Sequence, residues 1–281
     1  MPLITKAYLG STPLFKETDW FEDGGRRIVD TNSATVTADT VAHTKGAWTQ
    51  IIASTTANTS LLSIKVGGIA ASGTDTATLI DIGTGAGGSE TAIVSNIAVG
   101  SADGSAAANG VNFELPYKLA SGTRIAARIQ SIVTGGKTAF VEIAAIDAGD
   151  YDSAPTAVDT IGTSTATSLG TAMSGASGTW VQVTSSTSNA YRAVVMVPSI
   201  ASAAIGGNAN LTYTLGVGAS GSEVEVGSLR FRATTSENTY TLYPTGASLF
   251  GRTYASGSRL AVRHNITSGP GSYYVTLIGI R

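Results

Sequence analysis

One turn is written twice in this chain, and it limits what the chain can become. Gly83, Gly85, Gly87 and Gly88 lead to Glu90, and the pattern returns as Gly216, Gly218 and Gly221 leading to Glu223, 133 residues further on. Each copy follows an alternating apolar run and precedes another. A turn that recurs at a fixed step between strand-like runs points to a duplicated β unit.

Other anchors keep the same order and nearly the same step. Gly46, Trp48, Gln50 and Ile51 answer Gly178, Trp180, Gln182 and Val183. Ser121, Arg124 and Arg128 answer Ser256, Arg259 and Arg263. Phe140 to Ile143 answer Tyr274 to Leu277. Two copies are too few for a solenoid, so each is expected to be a complete domain. The length of 281 residues allows two domains of ordinary size.

Within a copy the period is 2. Leu62, Ile64 and Val66 share a face, and Val111, Phe113 and Leu115 alternate strictly. Seven or eight short strands are predicted per copy, with no helix. That is the pattern of an all-β protein with two tandem β-sandwich domains, jelly-roll or Ig-like. Charged residues make up only 13% of the chain, and Gly, Ser, Thr and Ala replace them, as tight corners require. The expected domains are an extended N-terminal arm (1–33), a first sandwich (34–146), an acidic linker (147–160) and a second sandwich (161–281).

The Trp that opens each copy is expected to cap the sandwich interior, where a large ring fills the gap between sheets. Arg124 and Arg128, like Arg259 and Arg263, are four apart and so lie on one strand face. They are expected to face outward and pair with carboxylates, contact with a polyanion or lipopolysaccharide being the alternative. Glu90 and Glu223 are read separately, as structural members of the duplicated turns.

Several chemistries find no support. The glycine turn satisfies G-x-G-x-x-G, but a dinucleotide site needs a helix next, and Ile93-Val94 and Val224 to Val226 read as strands. His43 and His264 have no ligand-spaced neighbours. Asp147, Asp150 and Asp152 lack the spacing of a calcium loop. No G-x-S-x-G elbow is present. No enzyme activity, metal or cofactor is therefore expected. A net charge of −2 offers no basic groove for nucleic acid, and there are no cysteines. Neither a signal peptide nor a membrane-spanning run is read from the sequence.

Residues 1–33 have no counterpart in the second copy. They cluster Phe15, Trp20, Phe21, Arg26 and Arg27, residue types favoured at interface cores. They read either as an extended lead-in packed on its own domain or as a docking arm, for which these five are the candidate interface residues.

The runs Gly178-Thr179-Trp180-Val181-Gln182-Val183 and Ser121 to Arg128, set in tandem Gly/Ala/Ser/Thr-rich sandwiches, resemble those of accessory virion proteins of tailed bacteriophages. These comprise capsid decoration (cement) proteins, head fibres, and tail-fibre or baseplate components. The resemblance implies a non-enzymatic homo-oligomer, with a trimer one option. Its implied partner is the major capsid or tail protein of the same particle, and its implied place is the virion, assembled in the host cytoplasm. Residues 1–33 would then be the anchor. A tail-fibre protein binding host glycan is the alternative within this class, and a carbohydrate-binding module is the alternative outside it. The latter needs an exposed aromatic platform, which Trp48 and Trp180 supply only if they are not core.

Overall fold

The structure, a computed structural model, describes residues 8–9, 12–13, 26–67, 78–99, 111–131, 134–149, 151–162, 170–173, 177–200, 209–234, 239–243, 248–266 and 273–281. All regular elements among them are strands. Near the N-terminus, β1 (Tyr8–Leu9) and β2 (Thr12–Pro13) pair with each other. The first unit then contains β3 (Arg27–Thr37), β4 (Thr49–Ile52), β5 (Thr59–Gly67), β6 (Thr78–Thr84), β7 (Thr91–Val99), β8 (Val111–Leu119), β9 (Ile125–Ser131) and β10 (Thr138–Asp147). Two antiparallel sheets form, in the orders β3-β10-β5-β8 and β4-β9-β6-β7. Counted within the unit, that is 1-8-3-6 against 2-7-4-5, the wrapping of an eight-stranded jelly roll.

The second unit repeats it. Its strands are β11 (Val158–Ile161), β12 (Thr171–Ala172), β13 (Trp180–Thr184), β14 (Ala193–Ile200), β15 (Ala209–Val217), β16 (Val224–Thr234), β17 (Thr239–Tyr243), β18 (Ser248–Phe250), β19 (Leu260–Ile266) and β20 (Tyr273–Ile280). β11 and β12 both pair with β20 and together replace β3. The sheets run β11-β20-β14-β18 and β13-β19-β15-β16-β17. Strand order thus answers what alternation left open: both units are jelly rolls. The second adds β17 outside β16, the counterpart of the first unit's edge strand β7.

The duplicated turns are the β6–β7 and β15–β16 hairpins. Gly85 and Gly88 take φ of +120° and +82°, and Gly218 and Gly221 take +130° and +81°, values that side chains disfavour. A strand follows each turn, so no helix terminus is there to receive a pyrophosphate.

Two boundaries move. β3 begins at Arg27 and is laddered to β10 as far as Thr37, so residues 27–33 belong to the first jelly roll and not to an arm. β11 begins at Val158, inside the expected linker. Neither strand alternates: most of β3 is exposed or half-buried, as an edge strand can be. A strand without an apolar face carries no period for sequence to read.

Each core lies between inner sheet faces. In the first unit Leu62, Ile64 and Val66 meet Ile80, Ile82 and Ile129, and all are fully buried. In the second, Leu277 and Met196 lie opposite Leu215 and Val262. The second unit differs on the outside of its first sheet. Val195, Val197, Ile278 and Ile280 point away from its own core and are nevertheless fully buried. β7 of the first unit packs on β11 and β14 there and reaches β20. The Thr160 hydroxyl donates to the Ser95 carbonyl across the joint. The joint is further fixed by the Lys118 amide on the Pro155 carbonyl (2.7 Å) and by Lys118 Nζ over the Tyr151 ring (4.4 Å).

Candidate functional site

The outer face of the second sheet in each unit carries the residues that the sequence repeats. Register decides which they are. Arg128 faces Asp81, Ala126 faces Gly83 and Gln50, and side chains two apart share a face. Trp48, Gln50, Asp81, Gly83, Arg124, Ala126 and Arg128 therefore lie together on the outside. Their counterparts Trp180, Gln182, Thr214, Gly216, Arg259, Ala261 and Arg263 do the same.

This overturns the expected place of the tryptophans. Trp48 and Trp180 are half-buried on the outer face and do not cap the interior. The benzo edge of each indole stands on a glycine. A Cβ at Gly83 would come within 2.6 Å of Trp48 Cη2, and one at Gly216 within 2.6 Å of Trp180 Cη2. A guanidinium lies over each ring, Arg128 at 4.5 Å from the Trp48 centroid and Arg263 at 4.8 Å from the Trp180 centroid. Such cation–π contacts help fix both planes. In a background of Trp20→Phe, iodide should quench the remaining emission, whereas two core indoles would be shielded.

The other arginine of each pair clasps the hairpin. Arg124 donates through Nε to Gln50 Oε1 (2.9 Å), and through Nη1 to Glu90 Oε1 (2.7 Å) and the Gly85 carbonyl (3.2 Å). Arg259 repeats this with Gln182 (3.0 Å), Glu223 (2.7 Å) and Gly218 (3.1 Å). The expectation that these arginines face outward onto carboxylates holds, and so does the structural role of Glu90 and Glu223. Burial alone would raise both carboxyls. Their own amides, the arginines, and the Gly88 and Gly221 amides outweigh it and hold both below the ordinary carboxylate value.

A difference between units surrounds the tryptophans. In the first, the Asp81 carboxylate is 2% exposed. It accepts from Lys45 Nζ (2.6 Å), Arg128 Nε (2.9 Å) and the Asn96 amide (2.8 Å). Asn96 sits in an irregularity of the β6–β7 ladder at φ +56°, and Asp81 takes the bond that its amide cannot give to the ladder. In the second unit Asp81 is replaced by Thr214, bonded to Ser228 (2.9 Å), and Lys45 by Ser177. There Glu225 on β16 holds Arg263 through Nη2. Sequence reasoning missed Lys45, Asp81 and Glu225. The one available signal was a lone carboxylate inside the apolar run Thr78 to Ile82, on the same parity as Gly83.

The remaining candidates disperse. Phe15, Trp20 and Phe21 lie outside the described residues. Arg26 forms a two-pronged bond to Glu114 (2.6 and 2.7 Å), and Arg27 approaches Asp147 (3.7 Å). Both arginines are thus engaged with the first unit. Asp152 pairs with Lys118 (3.5 Å), and Asp147 accepts from the Gly149 amide. No group of three or more potential metal ligands occurs among the described residues. A shallow polar groove of about 400 Å³ lies at the joint, lined by β7 from Ala92 to Asn96, by Val158 to Thr160 and by Ser188.

His264 is buried in the second core, where the first unit has Ile129, and its Nδ1 has no partner among the described residues. Burial pushes its pKa below the ordinary 6.5. The unfolded chain therefore binds the proton more readily, and stability falls as pH drops below 6.5. Glu90 and Glu223 add a second loss below the ordinary 4.5, since their contribution is full above that value. Melting temperature against pH should show both phases. His264→Ile should remove the first, and Glu90→Gln with Glu223→Gln should flatten the second.

No protein-family model and no curated protein matches the chain. Among solved structures, the N-terminal CBM22-1–CBM22-2 tandem domain of Xyn10C from Paenibacillus barcinonensis aligns at 10% identity and a TM-score of 0.26, over 92% of this chain and 98% of that one. A score so low carries no weight. The jelly-roll assignment rests on strand order alone.

Proposed function

We propose that this chain is a non-enzymatic recognition module, each jelly roll offering a tryptophan–guanidinium face to a carbohydrate. One observation carries the reading: Trp48 and Trp180 occupy matched, half-exposed positions on the outer sheets, each fixed by a glycine and an arginine. The C–H face of a sugar ring stacks on such planes, and its hydroxyls pair with neighbouring amide and guanidinium groups. Gln50 and Gln182 flank the two planes and are exposed. The carboxylates beside them hold arginines, which suits a surface built to stay rigid rather than to move protons. Soluble oligosaccharides should shift tryptophan emission on titration. Trp48→Ala with Trp180→Ala should abolish binding measured by calorimetry while the β-sheet circular dichroism stays. Unchanged binding by that double variant would remove the reading.

A virion role is the second reading, with residues upstream of Arg26 as the docking segment for a capsid or tail protein. Its support is the sequence resemblance and the cluster of Phe15, Trp20 and Phe21. The two-pronged bond from Arg26 to Glu114 marks only where that segment joins the first jelly roll. The deletion that tests it is 1–25, because residues from Arg27 on are sheet. The truncated protein should fold and fail to enter particles; normal incorporation would defeat the idea.

A further inference from the structure

The two tryptophan faces differ in one respect that bears on what each can hold. Both place a guanidinium on an indole, but the carboxylate that fixes the guanidinium comes from a different strand. In the first unit Asp81 on β6 takes Arg128 by Nε. The two Nη atoms of Arg128 have no hydrogen-bond partner among the described residues, and the side chain is 32% exposed. In the second unit Glu225 on β16 takes Arg263 by Nη2. Glu225 stands at the register position of Ala92, each opposite the glycine that supports the indole. One guanidinium edge is therefore open, and the other is closed by its own chain.

We infer that the first unit binds an acidic sugar, a uronate whose carboxylate seats on the open Nη edge of Arg128 while its ring lies along Trp48, and that the second unit does not. The inference rests on the carbohydrate reading above and narrows it. Two parallel N–H donors match the two oxygens of a carboxylate, which gives geometry as well as charge. Asp81 is buried, and together with Trp48 it fixes the plane of Arg128 before any ligand arrives, so little ordering is left to binding. The local balance agrees. Lys45 and Arg128 share one carboxylate and leave one positive charge beside Trp48, whereas Arg263 and Glu225 cancel beside Trp180. Arg124 and Arg259 are neutralised alike by Glu90 and Glu223 and do not distinguish the units.

The test is calorimetry of the full chain with tetragalacturonate and with neutral galactotetraose as probes. Tetragalacturonate should bind at one site per chain, more weakly as salt rises, and galactotetraose should be the poorer ligand. Arg128→Lys keeps the charge and loses the fork, and should weaken tetragalacturonate by about tenfold or more. Ala92→Glu should close the site in the manner of the second unit. Glu225→Ala changes an exposed residue and frees the Nη edge of Arg263, but leaves it without the carboxylate that steadies Arg128. It should therefore add a second site weaker than the first and raise the stoichiometry towards two. Equal affinities for both sugars, untouched by Ala92→Glu and Glu225→Ala, would overturn the inference and leave the carbohydrate reading standing. If neither sugar binds, both go.

Discussion

Val195→Asp should split the unfolding of this protein into two steps and lower its first midpoint sharply. Val195 is fully buried yet points away from the core of its own jelly roll, towards β7 of the first unit. A carboxylate there would be taken out of water with no partner, a change that costs several kcal/mol. The second unit can escape that cost by leaving the first, since its own core does not contain Val195. Calorimetry should then show two separate transitions where the parent shows one, and protease should cut in the joint, residues 148–157. Val194→Asp is the control. That side chain faces Gly279 and Phe250 across the ladders on the inner face, so its replacement should unfold the second unit outright. A single cooperative transition in Val195→Asp, with the joint still protected, would mean that the two units do not depend on this surface.

The same surface shows what a sequence of this kind reveals and conceals. In the first unit β5 reads Leu62, Ser63, Ile64, Lys65, Val66, alternating because one face meets solvent. Its repeat, β14, reads Ala193, Val194, Val195, Met196, Val197 without alternation, as a strand buried on both faces does. The broken alternation is visible in the sequence, but it names no partner, because the covering strand lies about a hundred residues upstream. The duplication itself was legible because turns and paired arginines hold their spacing under small loop insertions. The jelly-roll order was not, since alternation says which face a residue takes and not which strand lies beside it. Trp48 was misplaced for a related reason. Its size suggested a core, while its parity with Gln50, fixed only once β4 is registered on β9, puts it outside. Gly83 then becomes readable as the residue that leaves room for an indole edge.

Asp81→Ala should be the most damaging single truncation on the outer faces. It removes one carboxylate, leaves Arg128 Nε and the Asn96 amide without a partner, and leaves Lys45 Nζ only the Leu79 carbonyl at 3.4 Å. Loss of one partner from a buried ion pair costs about 3–5 kcal/mol, because the remaining charge keeps its desolvation and loses its attraction. Burial already pulls the Lys45 pKa below 10.5 against the opposing field of Asp81, so without Asp81 it should fall further and Lys45 should shed its proton more readily. At about 2–4 °C per kcal/mol for a chain of this size, the melting temperature should drop by roughly 6–20 °C. The second unit supplies the control, because it solves the same problem without this carboxylate. It has Ser177, Thr214 and Glu225 where the first has Lys45, Asp81 and Ala92. Asp81→Thr alone should be nearly as harmful as the alanine, since both cations stay. Lys45→Ser added to it removes one stranded charge, and Ala92→Glu then gives Arg128 the partner that Arg263 has in Glu225. Stability should return stepwise along that series, each added change being worth more in the presence of Asp81→Thr than alone, the mark of residues that act as one network. If Asp81→Thr costs nothing, or the triple variant is no better than the single, the carboxylate is not what holds this face.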